Sequence, residues 1–259
     1  MSKSAKIWLI VAISLILIGC MIFGGVMTML KWDFLKLSTE KYETNTHNID
    51  EEFNNISVKT STADVRFVPS EDGECKVVCY EDKKEKHDVS VQDGTLTIEA
   101  FSEKKWYDYI GITFKAPKIT VYLPTSEYDL LAIKESTGDI EISKDFKFES
   151  IDISLSTGDV KNYASATDLI KIKTSTGDIN IENVSAGAFD LSVSTGDITA
   201  SSIECASEFK VSVSTGKTNV SHVNCQSFVT SGSTGDVIMK NVIATEKFSI
   251  KRSLRSESR

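Results

Sequence analysis

Histidine is scarce in this chain. Its 259 residues hold three, His47, His87 and His222, and none is spaced from a serine, cysteine or acid in the manner of a catalytic triad or a zinc site. No catalytic, cofactor-binding or metal-ligating residue is therefore assigned, and an enzyme is not indicated. Cysteine offers few pairings among its five copies. Cys75 and Cys79, four apart on one expected strand, would stand about 13 Å from each other and cannot bridge locally. Positive charge is also in deficit. The formal net charge is -8, and -10 once Lys3 and Lys6 are set aside, so the surface repels nucleic acid and anionic head groups and no nucleic-acid partner is expected.

Charge of either sign is missing from Ile7 to Leu30. These 24 residues would make a helix about 36 Å long, more than the roughly 30 Å hydrocarbon core of a bilayer. Trp8 and Trp32 bracket the run like an interfacial belt. With Lys3 and Lys6 before it and an acidic chain after it, the positive-inside rule puts residues 1–6 in the cytoplasm and everything past the span outside the cell membrane. Leu17-Ile-Gly-Cys20 resembles a lipobox, but Met21 to Leu30 continues the apolar run where a lipidated cysteine is followed by a polar tether. The run is also longer than the apolar part of a cleaved signal peptide, so an uncleaved signal anchor is the preferred reading.

The rest of the chain is organised by a repeat. Ser-Thr-Gly-Asp recurs at Ser136 to Asp139, Ser156 to Asp159, Ser175 to Asp178, Ser194 to Asp197 and Ser233 to Asp236, with the variant Ser214-Thr-Gly-Lys217. Its glycines, Gly138, Gly158, Gly177, Gly196, Gly216 and Gly235, follow one another at steps of 19 or 20 residues. A fixed period of that length in segments of alternating Ile, Val and Ser predicts an all-β parallel solenoid, one coil per repeat, with two or three short strands per coil. Aligned on glycine, Ile133, Ile153, Ile172, Leu191, Val211 and Thr230 form one column, and Ile140, Val160, Ile179, Ile198, Thr218 and Val237 another. Val184, Ile203, Val223 and Val242 make a third, and Phe148, Leu169, Phe189, Phe209, Phe228 and Phe248 an aromatic or leucine column. Stacked coils turn such columns into buried ladders about 4.8 Å per step.

The motif itself fits a corner, where Gly takes a positive φ at little cost and Ser, Thr and Asp bond nearby backbone. The row of Asp139, Asp159, Asp178, Asp197 and Asp236 suggests calcium. Calcium-binding nonapeptide coils, however, have a shorter period and two glycines, and the ion wants six to eight oxygens. The structural corner is preferred. Cys205 and Cys225 each stand nine residues past their glycine, one coil apart, so stacking in register would bring them near disulfide range. Alternatively they fill a column of small residues with Ala186 and Ala244.

Ahead of the repeats, residues 31–48 are polar and aperiodic and read as a juxtamembrane stalk. Residues 49–127 read as an N-terminal β region and cap. Ser61-Thr-Ala-Asp-Val65 looks like a degenerate repeat, the segments at Glu74 to Glu81, His87 to Gln92 and Thr95 to Phe101 alternate as strands, and Gln92-Asp-Gly-Thr95 is a hairpin turn. Lys83 to His87 reads as a solvated charged turn. Trp106, Tyr107, Tyr109 and Phe114 read as a plug over the open end of the solenoid. Residues 128–259 are the repeat solenoid, with a departure from pattern after Ser253.

The membrane-spanning start, the Thr-Ala-Asp-Val strand, Val121-Tyr-Leu-Pro124 and the Ser-Thr-Gly-Asp repeats together resemble the DUF4097 family of adhesin-like proteins, over about residues 40 to 253. The resemblance implies a right-handed β-helix facing the bacterial envelope and carries no catalytic residues with it. Two functions follow as expectations. One is a non-enzymatic scaffold whose Ser/Thr-rich faces bind an envelope protein or cell-wall polymer. The other is an accessory sensor of envelope stress that acts on a membrane partner through the single helix.

Overall fold

The computed structural model describes residues 2–34, 41–103 and 116–252. Residues 2–34 contain one helix, α1 (Lys3–Met29), and residues 42–103 with 116–252 form a separate compact β unit. Helix α1 starts where Ser2 accepts the Ala5 N–H on its hydroxyl at 3.2 Å, and ends where Lys31 and Trp32 turn to positive φ. Its 27 residues span about 40 Å. With its apolar side chains exposed, it is long and apolar enough to cross a bilayer, as an anchor or as a signal sequence.

The β unit is a solenoid whose coils stack in parallel. Its strands are β1 (Tyr42–Ile49), β2 (Asn55–Thr62), β3 (Asp64–Pro69), β4 (Cys75–Asp82), β5 (Glu85–Gln92), β6 (Thr95–Ser102), β7 (Lys118–Leu123), β8 (Glu127–Thr137) and β9 (Ile140–Ile142). The series continues with β10 (Lys147–Thr157), β11 (Val160–Asn162), β12 (Ser165–Thr176), β13 (Ile179–Ala186), β14 (Ala188–Thr195), β15 (Ile198–Cys205), β16 (Glu208–Thr215), β17 (Thr218–Thr234) and β18 (Val237–Arg252). On one face the order is β6, β2, β8, β10, β12, β14, β16 and the second halves of β17 and β18, all parallel. On the other, β7, β3, β9, β11, β13, β15 and the first halves of β17 and β18 stack the same way.

The register aligns like residues, so the expected ladders exist. Ile133, Ile153, Ile172, Leu191, Val211 and Thr230 pair in sequence, as do Ile140, Val160, Ile179, Ile198, Thr218 and Val237. All but Val237 are buried; among the described strands β18 has only β17 beside it. The aromatic column needs correction. Phe189 stacks on Ile170, not Leu169, and Phe148 pairs with Tyr128 and Ala166. The cause is a bulge between Phe148 and Ser150, which offsets the earlier coils and leaves Leu169 half exposed. Two stacks result. One is Phe53, Tyr128 and Phe148 at 6.0 and 5.8 Å; the other is Phe189, Phe209, Phe228 and Phe248 at 5.1, 5.8 and 5.1 Å.

The degenerate repeat is the first coil to be laid down, but it is not the end of the stack. After β3 the chain doubles back. Strand β7 pairs with the free edge of β3 and β6 with that of β2, while β4 runs antiparallel to β7 and β5 antiparallel to β6. The β5–β6 hairpin turns at Asp93 and Gly94, both at positive φ, as a two-residue Asp-Gly turn requires. Two sequence expectations fail in this cap. Tyr42–Ile49 is no stalk but a strand, antiparallel to β4 in full register. Its alternation of Glu43, Asn45 and His47 is legible as a strand only once β4 supplies the register, setting them opposite Glu81, Cys79 and Val77. The solvated turn shrinks to Lys83 and Lys84, and His87 is buried within β5. The aromatic plug at Trp106 to Phe114 and the tail from Ser253 lie outside the described residues.

Candidate functional site

The corner motif builds three rows at once. Each glycine sits at positive φ, and a methyl group added at Gly177 would overlap the carbonyl oxygen of Gly158 in the coil above. Glycine is needed for coil-to-coil approach as much as for its dihedral freedom. Ala63 stands at the first copy, where β6 pairs with β2 only as far as Lys59; it is buried and, unlike the glycines, is not at positive φ.

The aspartates form a one-way ladder. Each carboxylate Oδ1 accepts the backbone N–H of the same position in the next coil. Asp64 takes that of Asp139 at 3.2 Å, Asp139 that of Asp159 at 2.9 Å, Asp159 that of Asp178 at 2.8 Å, Asp178 that of Asp197 at 2.7 Å and Asp197 that of Lys217 at 2.7 Å. A charged acceptor makes each bond stronger than a neutral one. Any residue supplies the donated N–H, so Lys217 donates to Asp197, but it has no carboxylate to accept the N–H of Asp236.

Between them runs a threonine row. Thr62, Thr137, Thr157, Thr176, Thr195, Thr215 and Thr234 pair in unbroken register, all exposed. Their carbonyls accept the N–H of the residue after threonine in the coil above: Ala63 onto Thr137 at 3.1 Å, Gly138 onto Thr157 at 3.0 Å, Gly158 onto Thr176 at 2.9 Å and so on to Gly216 onto Thr234 at 3.0 Å. Their hydroxyls make no hydrogen bond to the described residues. The sequence carried a signal for this row: serine and threonine occupy all seven copies, whereas glycine and aspartate are each replaced once, by Ala63 and Lys217.

Cys205 and Cys225 lie in the small-residue column with Ala186 and Ala244, in adjacent coils. Both are free thiols in this structure, and their Sγ atoms point to different carbonyls, Gly187 at 3.7 Å and Ile243 at 3.6 Å. Desolvation pushes the Cys225 thiol up to about 11, so both are poor nucleophiles. Nearer the cap, along β3, β7, β9 and β11, a groove of 310 Å³ is lined by Asp64, Arg66, Lys118, Asp139, Glu141 and Lys161, with Arg66 donating to Glu141 at 2.6 Å.

The cap holds buried polar groups that spacing did not reveal. Glu81 and His87 are 1% and 5% exposed. Glu81 Oε2 accepts both the backbone N–H and the Nδ1 of His87 at 2.7 Å, and Oε1 accepts Asn45 Nδ2 at 2.6 Å. His87 Nε2 meets the Thr60 hydroxyl at 3.0 Å. Thr60 is paired in register with Glu135, whose Oε1 accepts the Ala63 N–H at 3.0 Å and whose Oε2 is buried without a partner. Burial pushes the Glu135 carboxyl up to about 8, and the nearby Asp64 and Asp139 carboxylates add to the shift.

The family model described as Toastrack DUF4097 matches residues 53–253. Among solved structures, a "putative adhesin" from Bacteroides fragilis is 21% identical, with 84% of this chain and 99% of that one covered and a TM-score of 0.45. A "putative adhesin" from Parabacteroides merdae is 13% identical over 83% and 97%, TM-score 0.41. A "putative lipid binding protein" from Parabacteroides distasonis is 17% identical over 84% and 98%, TM-score 0.33. No curated protein matches the chain significantly.

Proposed function

Because the chain belongs to the Toastrack DUF4097 family across nearly all of its β unit, we propose that this solenoid is a binding scaffold of the bacterial envelope and that the threonine row is its working surface. Helix α1 anchors it, with residues 1–6 cytoplasmic and the β unit outside. One observation carries the reading. Seven exposed threonines stand in register, their backbones tied coil to coil and their hydroxyls without a hydrogen-bond partner among the described residues. A corner needs glycine and aspartate for its geometry, but it does not need a free hydroxyl at every level. Such a row offers a donor and an acceptor about every 4.8 Å on a surface already ordered, so little entropy is lost on binding. The matching ligand is an extended polymer with hydroxyl or amide groups at a similar repeat, as in a cell-wall glycan strand.

The test is co-sedimentation of the detergent-solubilised full chain with purified, insoluble cell wall. Replacing Thr157, Thr176 and Thr195 together by valine keeps shape and strand preference while removing three hydroxyls. Retention is expected to fall at least about tenfold, since each lost hydrogen bond contributes about 0.5–1.5 kcal/mol. Unchanged retention with an unchanged circular dichroism spectrum overturns the reading.

The sensor function rests on α1, where Cys20, Gly24 and Thr28 line one stripe and the Thr28 hydroxyl folds back onto the Gly24 carbonyl at 2.7 Å, leaving a small surface for a second helix. Cross-linking in intact cells, with the native helix and with an unrelated one, separates the two. A membrane partner captured only by the native helix favours the sensor; partners kept by both favour the scaffold.

A further inference from the structure

The ladder of Val160, Ile140, Val65 and Ile119 is apolar at every level until the cap, where it ends on a set of metal-ligand types. Cys79 pairs with Ile119 in register and so continues the column of Ile119, Val65, Ile140 and Val160. Beside it are Glu81 on the same strand and His87 on β5, which the short turn at Lys83 and Lys84 swings onto the other face. One ligand atom from each of Cys79, Glu81 and His87 lies within 4.8 Å of the other two, and all three side chains are buried.

We propose that Cys79 Sγ, a Glu81 carboxylate oxygen and His87 Nδ1 form a binding site for a zinc-class divalent cation that ties the two faces of the cap together. The donor set of one sulfur, one imidazole nitrogen and one carboxylate oxygen is of the kind such an ion takes, at about 2.0–2.3 Å per bond. A tetrahedral ion at those bond lengths needs its ligands roughly 3.2–3.8 Å apart. Glu81 and His87, now 2.7 Å apart, open by a few tenths of an ångström, and the sulfur closes on them from within its 4.8 Å range.

The groups that would orient these ligands are already placed. Thr60 Oγ1 sits 3.0 Å from His87 Nε2, so it accepts the proton that Nε2 carries when Nδ1 is the ligand. Asn45 Nδ2 and the His87 backbone N–H hold the Glu81 carboxylate at 2.6 and 2.7 Å. The Glu81–His87 pair alone accounts for two of the three groups. It does not account for a sulfur at the ladder position that carries isoleucine or valine in the four neighbouring levels. Binding forms the metal–sulfur, metal–nitrogen and metal–oxygen bonds, moves the His87 proton from Nδ1 to Nε2 and releases the Cys79 thiol proton to solvent. One thiolate and one carboxylate then neutralise the dication in a site without bulk water. The fourth position falls to water.

The test uses the full chain in detergent, stripped with a chelator and titrated with cobalt(II) as a spectroscopic stand-in for zinc. The expected result is one equivalent bound, with a thiolate-to-cobalt charge-transfer band and the visible bands of a four-coordinate ion. Cys79→Ser abolishes the charge-transfer band, Thr60→Val weakens binding about tenfold, and Cys205→Ser changes neither. Absence of the band in the unmodified protein overturns the proposal without recourse to any variant, as does a band that survives Cys79→Ser. Should Cys79→Ser fail to fold, zinc must still raise the urea midpoint of the unmodified protein; no rise is a second refutation.

Discussion

The repeating coils from β8 onward and the cap made by β1 with β4 to β7 both cover an exposed sheet edge. The coils do so by parallel stacking of near-identical units, with Ile, Val, Leu and Phe inside at every level. The cap reverses the chain, pairs antiparallel, and keeps Glu81, His87 and Thr60 inside. A repeated unit keeps its buried polar groups few and scattered, as Asn162, Thr174, Thr218 and Thr230 are, because a group repeated in every coil repeats its cost. A cap is built once, so it can hold a polar network whose members satisfy one another. Glu135 marks the border. It occupies the column that later coils fill with Leu155, Thr174, Val193 and Val213, while its neighbour towards the cap is Thr60.

The comparison breaks hardest at a mid-stack corner. Gly177→Ala drives a methyl group into the Gly158 carbonyl and is expected to cost about 3–5 kcal/mol, read as a lowered urea midpoint. Ala63→Gly, at the corner where a methyl group is already accommodated outside positive φ, is expected to cost no more than about 1 kcal/mol. Equal losses at the two sites would show that dihedral preference, and not coil contact, selects the glycine.

A pH series sharpens the border between the regions. With the Glu135 carboxyl raised from 4.5 to about 8 in the folded chain, the folded state holds a proton that the unfolded state has lost. Stability from this group is therefore full below about pH 4.5 and falls as pH rises towards 8. Glu135→Leu, matching Leu155, is expected to flatten that slope and to gain about 2–4 kcal/mol at pH 8. A slope unaltered in the variant would place its origin elsewhere.

The smallest effect is a gain. Lys217→Asp continues the carboxylate ladder to the Asp236 N–H and is expected to stabilise the last coils by about 0.5–1 kcal/mol at low salt, measured by hydrogen exchange at Asp236. Unchanged exchange there would mean that the ladder adds nothing beyond the parallel backbone bonds.

Period and composition alone determined the coil length, the inward columns, the corner and the membrane-length helix, because a repeat makes each copy predict the neighbours of the next. The hairpin at Asp93-Gly94 was legible for the same local reason: its dihedrals are dictated by two residues. Tertiary structure alone decided what does not repeat. β1 is a strand because β4 offers it a register, and Phe148 leaves the phenylalanine column because a bulge shifts one coil. The contacts of the cap are likewise invisible in spacing. Residues 45, 60, 81 and 87 meet only when the chain doubles back over its own first coil, so no fixed interval relates them. The threonine row lies between these cases. Its periodicity is written in the chain, but whether those hydroxyls bond the corner or stand free was decided by the backbone, which satisfies its own donors coil to coil and leaves the side chains exposed.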